Sequence, residues 1–278
     1  MTSTVIHQKA SPRTTAYRLT LIGTIRSELI KLTSLRSTRW SVIISMILGV
    51  GISIVLALAM RADATPNELS IHGGGFLMAL TGQAAEYVVI VFGVLGALAF
   101  ASEYSSGMIL SSLTAVPRRG TFFAAKFIAM AVIATIAGTM IVALETLAGV
   151  IIAPAVASSI GNSEVLASFA GTIIYVAIMA LLSLALAGLL RSTAGAITVF
   201  MGILFIIPAV LSVLLQITDW TWVASVFNYV PSQLGIVLAG GIEGEDVPSF
   251  WEALLCLTAW MAVPMSLAVQ RFFSRDAQ

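Results

Sequence analysis

Residues 103–126 read EYSSGMILSSLTAVPRRGTFFAAK, an ordered polar interruption between two strongly apolar segments. The stretch opens on Glu103 and Tyr104, passes Ser105, Ser106 and Gly107, and ends on Pro117, Arg118, Arg119 and Lys126. Either serine can cap a short helix starting near Gly107, because a hydroxyl oxygen accepts from an orphan backbone N–H of the first turn. Within that helix Ile109, Leu113 and Val116 share a face, with Met108 and Leu110 beside them. Pro117 lacks the N–H that a further turn would need. A short helix with one apolar face suits a groove on a partner protein. The plainer reading is a surface helix that joins two apolar segments.

Outward from this stretch the chain is greasy. Of its residues 59% are hydrophobic and 10% charged, and the mean hydropathy is +1.02. Soluble domains carry about a quarter charged residues, so the composition is that of a polytopic membrane protein. The single cysteine, Cys256, excludes an intrachain disulfide and reads as a small packed hydrophobe. No apolar core precedes Trp40, so the expectation is a retained N-terminus rather than a cleaved signal peptide.

Six segments are apolar over the roughly 20 residues needed to cross a bilayer: about 40–60, 84–101, 122–147, 168–190, 194–215 and 251–270. No barrel periodicity is present, so these are expected to be helices. Residues 1–16 read as a disordered tail. Residues 17–36 place Leu21, Ile22, Ile25, Leu29 and Leu32 at helical spacing, with Thr24, Ser27 and Lys31 opposite. That predicts an amphipathic helix lying along a membrane surface. Pro208 and Pro264 fall inside the fifth and sixth segments and are expected to kink them.

Charge orients the spans. With the N-terminus inside, 13 of the 14 Lys and Arg residues fall on the cytoplasmic side, leaving Arg61 outside. Both termini are therefore expected in the cytoplasm, together with residues 103–126. Among the outer segments, 61–82 contains a Gly73-Gly74-Gly75 run that reads as a turn. Residues 216–250 carry Trp220, Trp222 and Tyr229 before an acidic, Gly-rich tip, which predicts short re-entrant helices or an aromatic belt. Two acids lie within apolar segments, Glu86 and Glu145, and intramembrane carboxylates are functional candidates. They could face one cavity, contacting a cationic substrate or forming part of an outer gate, or each could snorkel to the interface. Gly93, Gly96, Ala97 and Gly188 permit close helix packing.

With these residues in view, the chain resembles the permease subunits of ABC type-2 exporters. The resemblance rests on Glu103, Gly107, Met108-Ile109-Leu110, Pro117, Arg118-Arg119 and Lys126. It is extended by RSELIKLTSLRSTRW (residues 26–40) and by Asn228-Tyr229-Val230-Pro231-Ser232, as in the subgroup common in high-GC Gram-positive bacteria. Both arginines follow Pro117 directly, whereas the family often places one three residues later. The resemblance implies a six-span permease of a bacterial plasma membrane that pairs with a second copy or a paralogue. Each permease would dock a cytoplasmic ABC ATPase through Glu103, Tyr104, Gly107, Met108, Ile109, Leu113, Pro117, Arg118 and Arg119, the coupling helix. The N-terminal amphipathic segment would brace it. Loop 216–250 would close the pathway outward, and ATP and Mg would be bound by the partner ATPase.

The chain's own residues hold little catalytic chemistry. Its three lysines, Lys9, Lys31 and Lys126, sit in no Gly-rich Lys-Ser/Thr loop. His7 and His72 fall on opposite sides of the expected topology and cannot share a metal, and no catalytic residue or nucleic-acid partner is expected. Two other classes compete with the exporter reading. One is a proton-coupled transporter using Glu86 or Glu145, and the other is a non-transporting interaction or immunity protein.

Overall fold

Backbone groups in hydrocarbon have no water to bond, so long apolar runs must satisfy them internally as helices. The computed structural model describes residues 20–62, 65–105, 107–108, 119–218, 220–241, 244 and 246–274, and no strand occurs among them. The helices are α1 (Leu21–Ser34), α2 (Arg36–Ala62), α3 (Pro66–Ile71), α4 (Gly73–Ser105), α5 (Arg119–Ile152) and α6 (Ser163–Leu190). They continue as α7 (Thr193–Met201), α8 (Ile207–Ile217), α9 (Thr221–Asn228), α10 (Pro231–Leu238) and α11 (Phe250–Ser274). Six units are long and apolar enough to cross a membrane: α2, α4, α5, α6, the combined α7–α8 and α11. The protein is an all-α polytopic membrane protein.

The bundle has two ends. One carries α1, the end of α4, the start of α5, the α6–α7 junction and the end of α11. We call it the loop end, since residues 106–118 connect α4 to α5 there. The opposite end carries α3, α9, α10 and a short 3-10 turn, Pro154–Ser159.

Helix α6 is the axis, buried almost continuously from Thr172 to Gly188. It packs against α4, α5 and α11. Small residues bring α4 close: Ser183 Oγ donates to the Gly93 carbonyl, and a Cβ at Gly96 would overlap the Ala180 carbonyl. The outer helices keep large apolar side chains exposed, among them Ile47 and Val55 on α2, Ile136 on α5 and Leu255 on α11. Such a surface suits lipid or a packed partner helix rather than water.

Several boundaries differ from the sequence reading. Gly73-Gly74-Gly75 is not a turn but the first turn of α4, which starts well before residue 84. The reason is close approach: a Cβ on Gly73 would meet Ser159 Oγ at 2.8 Å and Val156 Cα at 3.0 Å. Helix α5 continues past 147 and stops at Ala153, because Pro154 has no N–H and disfavours a helical residue before it. At about 1.5 Å per residue its length exceeds the roughly 30 Å hydrocarbon core. Helix α6 ends where Arg191 adopts a left-handed conformation, φ 53°. Pro208 stands in the first turn of α8, with Ile207 between it and a five-residue π turn, Gly202–Ile206. Pro264 lies inside a helix that continues through it.

Helix α1 shows which part of its surface meets the bundle. Its buried residues are Thr24, Glu28 and Leu32, a stripe where the polar and apolar sides meet. Leu21, Ile22 and Ile30 are exposed, Ile22 by 79%. Glu28 turns toward α5 because Lys126 meets it there.

Candidate functional site

Glu28 sits three residues before Lys31 on α1, so the two share a face. Glu103 stands in the last turn of α4 and Lys126 in the second turn of α5, on either side of the connecting loop. Folding brings all four together. Lys126 Nζ donates to Glu28 Oε2 at 2.8 Å, to Glu103 Oε1 at 2.8 Å and to the Ala99 carbonyl at 3.2 Å. Lys31 Nζ donates to Glu28 Oε1 at 3.2 Å and to Glu103 Oε1. An ammonium has three hydrogens, and each on Lys126 has an acceptor.

Burial makes this arrangement informative. Lys126 is 0% exposed, Glu103 3% and Glu28 5%. A charge removed from water costs several kcal/mol unless it is paired and hydrogen-bonded. Two carboxylates and two ammoniums give a cluster of zero formal charge, with Lys31 partly open to solvent. Burial pushes the Glu28 carboxyl up, but the ammoniums of Lys126 and Lys31 outweigh it and hold the group below its ordinary value. Burial likewise lowers Lys31, and the opposing carboxylates of Glu103 and Glu28 reverse this and raise it. Both shifts keep the charged forms.

An aromatic shell closes the cluster. The Lys126 ammonium lies 5.3 Å from the Phe122 ring centroid and 5.7 Å from that of Phe100, within the range of cation–π attraction. Phe100 stacks on Tyr104, and the Arg191 guanidinium lies 5.4 Å from the Tyr104 ring centroid. Phe122 stacks on Phe272 of α11, and Arg271 Nη1 donates to the Leu189 carbonyl at 3.2 Å. Helices α1, α4, α5, α6 and α11 thus meet around one buried ion cluster at the base of the loop.

The other candidates scatter. Glu145 is 1% exposed and packs over Gly49 of α2, beside Val88 of α4. Glu86 faces Tyr175 of α6, whose ring covers Gly235 of α10. Val88 and Glu86 are two residues apart, about 200° around a helix of 3.6 residues per turn. The two carboxylates therefore sit against opposite faces of α4. Both have an oxygen without a hydrogen-bond partner among the described residues. Trp220 and Trp222 stack at 5.9 Å and are exposed. The Tyr229 carbonyl accepts from Trp260 Nε1 at 3.0 Å. Helix α10 packs against α6, where Ser168 Oγ donates to the Ala239 carbonyl at 2.6 Å.

A family model described as "ABC-2 family transporter protein" matches residues 24–209, from α1 into α8. The chain belongs to the ABC-2 transporter family. It is the membrane subunit, or permease, of an ABC transporter, a class that works with ABC ATPase subunits, and it is a multi-pass integral membrane protein of a bacterial plasma membrane. No match to an individual curated protein accompanies the family match.

In this permease the expected coupling helix falls mostly outside the described residues: Ile109, Leu113, Pro117 and Arg118 lie there, as does the side chain of Arg119. What borders it is visible. Helix α4 continues through Ser105, and Met108, just past Gly107, is helical. Gly107 takes a left-handed φ of 69°, which turns the chain out of α4, and Met108 is exposed. Glu103 is turned inward onto Lys126 and Lys31 rather than presented at the surface, and Tyr104 is occupied by Phe100 and Arg191.

Sequence reasoning passed over Glu28, yet a signal was there. Glu28 is the single acidic residue among the first 62, in a segment otherwise basic and apolar. A lone carboxylate so placed needs a cation, and two of the chain's three lysines supply it.

Proposed function

We propose that the chain is the permease of an ATP-driven exporter in which residues 106–118 receive the force of a cytoplasmic ATPase. The observation that carries this reading is the clamp of Glu28, Lys31, Glu103 and Lys126. The two ends of the loop are held to each other and to α1 by buried charge, so a push on the loop moves α1, α4 and α5 as one body. Rigid coupling of this kind is how a local contact becomes a movement of packed helices. Two permeases would pair, each with its ATPase, and ATP and Mg would be bound by that partner. Both chain termini would face the cytoplasm with the loop. The opposite end, with α9 and α10, would then lie outward and close the pathway there, with Trp220, Trp222 and Tyr229 in the gate. Glu86 and Glu145 would serve the pathway separately.

The test is co-purification. Replacing residues 107–113 by a Gly/Ser linker of equal length should abolish capture of the ATPase while the permease still inserts. An ATPase that binds and turns over normally with the altered loop would assign the contact elsewhere.

A further inference from the structure

The α7–α8 span and α11 stand slightly apart, and a cleft of about 470 Å³ separates them. Its lining is Ile203 from the π turn, Tyr229, and Cys256, Ala259, Trp260, Val263 and Pro264 from α11. No charged side chain lines it, and the Trp260 indole N–H is already bound to the Tyr229 carbonyl. A polar ligand would find no donor on that ring. A second cleft of about 360 Å³ shares Tyr229 and Trp260 and continues along α9 past Ser225 and Val226. Together they make one elongated apolar trough.

Its position fixes what can fill it. Both walls are helices long and apolar enough to span a bilayer, so the medium in front of the trough is hydrocarbon. From Cys256 to Pro264 is eight residues, about 12 Å of helix rise. One leaflet of the roughly 30 Å core is about 15 Å deep, so the trough has the depth of a single leaflet. Toward the opposite end of the bundle, Trp222 and Val226 on α9 and Tyr229 at its C-terminal cap recur at helical spacing, all exposed. Trp222 stacks on Trp220 there. Paired exposed tryptophans beside an apolar slot suit the boundary between headgroup and chain. Apolar walls with one or two polar groups are also the usual make-up of a lipophilic site.

We infer that this trough binds one acyl chain of a phospholipid from the leaflet at the α9–α10 end, with its headgroup beside Trp220 and Trp222. The inference rests on the membrane placement of the helices and not on the ATPase reading, so either can fail alone. The bound chain would wedge α7–α8 from α11 at the π turn, where the helix already departs from α geometry and such departures mark functional positions.

The experiment uses the full chain in vesicles of phosphatidylethanolamine and phosphatidylglycerol, with a phosphatidylglycerol carrying a diazirine midway along one chain. Illumination should place crosslinks at Ile203, Tyr229 and Val263 in preference to Ile136, an exposed apolar residue on α5. Ala259→Trp should cut trough crosslinking about tenfold, the equivalent of about 1.4 kcal/mol of binding, and leave Ile136 unchanged. Cys256 supplies a readout without a variant. In detergent, its modification by N-ethylmaleimide should slow as phosphatidylglycerol is added. Crosslinks spread evenly over exposed apolar positions, with no effect of lipid on Cys256, would overturn the site. So would joining of two copies through Cys256 by a bifunctional maleimide, which would make a second permease the occupant.

Discussion

Lys126 is the residue on which the loop end depends. Its ammonium is fully buried, meets two carboxylates and a carbonyl, and lies between two phenylalanine rings. Lys126→Met leaves Glu28 and Glu103 facing each other with only Lys31 between them. Breaking a buried pair from one side costs about 3–5 kcal/mol, so the variant should unfold at markedly lower denaturant in a detergent titration. Lys126→Met with Glu103→Gln keeps the cluster neutral and should recover part of the loss. Equal stability of the two variants would mean that the charges are not coupled. The cluster also sets a pH response. Glu28 has a lowered pKa, so its contribution is present above its ordinary value of 4.5 and lost as pH falls through the lowered value. Lys31 has a raised pKa, so its contribution is present below 10.5 and lost as pH rises through the raised value. Stability from this pair should be flat between those limits and fall outside them. Glu28→Gln should remove the acid limb of that dependence.

At the scale of elements, the close approach of α4 to α6 is the packing most exposed to change. A side chain at Gly96 meets the Ala180 backbone carbonyl, which no rotamer can avoid. Gly96→Val should therefore destabilise by about 1–3 kcal/mol, read as lower yield and earlier aggregation on heating. Gly51→Val, with open space around its Cβ direction, is the matching control and should behave as the parent. The long elements were legible in the sequence because each bilayer crossing needs an uninterrupted apolar run, which composition alone reveals. Their ends were less so. Gly73 looked like a turn because its partner, the Pro154–Ser159 turn, is distant in sequence. Which part of α1 meets protein was not legible, because an amphipathic pattern does not say it. Leu21, Ile22 and Ile30 stay exposed, while Glu28 and Lys31 turn to charges on α4 and α5.

At the scale of the whole molecule, α6 is the axis of a six-span bundle whose outer helices carry an exposed apolar rim. The motif that suggested the family, Glu103 to Lys126, was visible as a string. The clamp it forms was not, because Glu28 and Lys31 lie about 70 to 100 positions upstream of their partners and only the fold reveals that four charges converge. Glu86 and Glu145 show the reverse case. As two acids in apolar segments they invited a shared role, and the helix turn between Glu86 and Val88 separates them. The central claim is that the buried clamp, and not only the loop surface, carries force from ATPase to helices. Its most direct test is ATP hydrolysis by the ATPase co-purified with the Glu103→Gln, Lys126→Met permease in proteoliposomes. The expected result is retained ATPase binding with hydrolysis lowered about tenfold, equivalent to about 1.4 kcal/mol on the activation barrier. Unchanged hydrolysis by a correctly folded, ATPase-bound variant would contradict it.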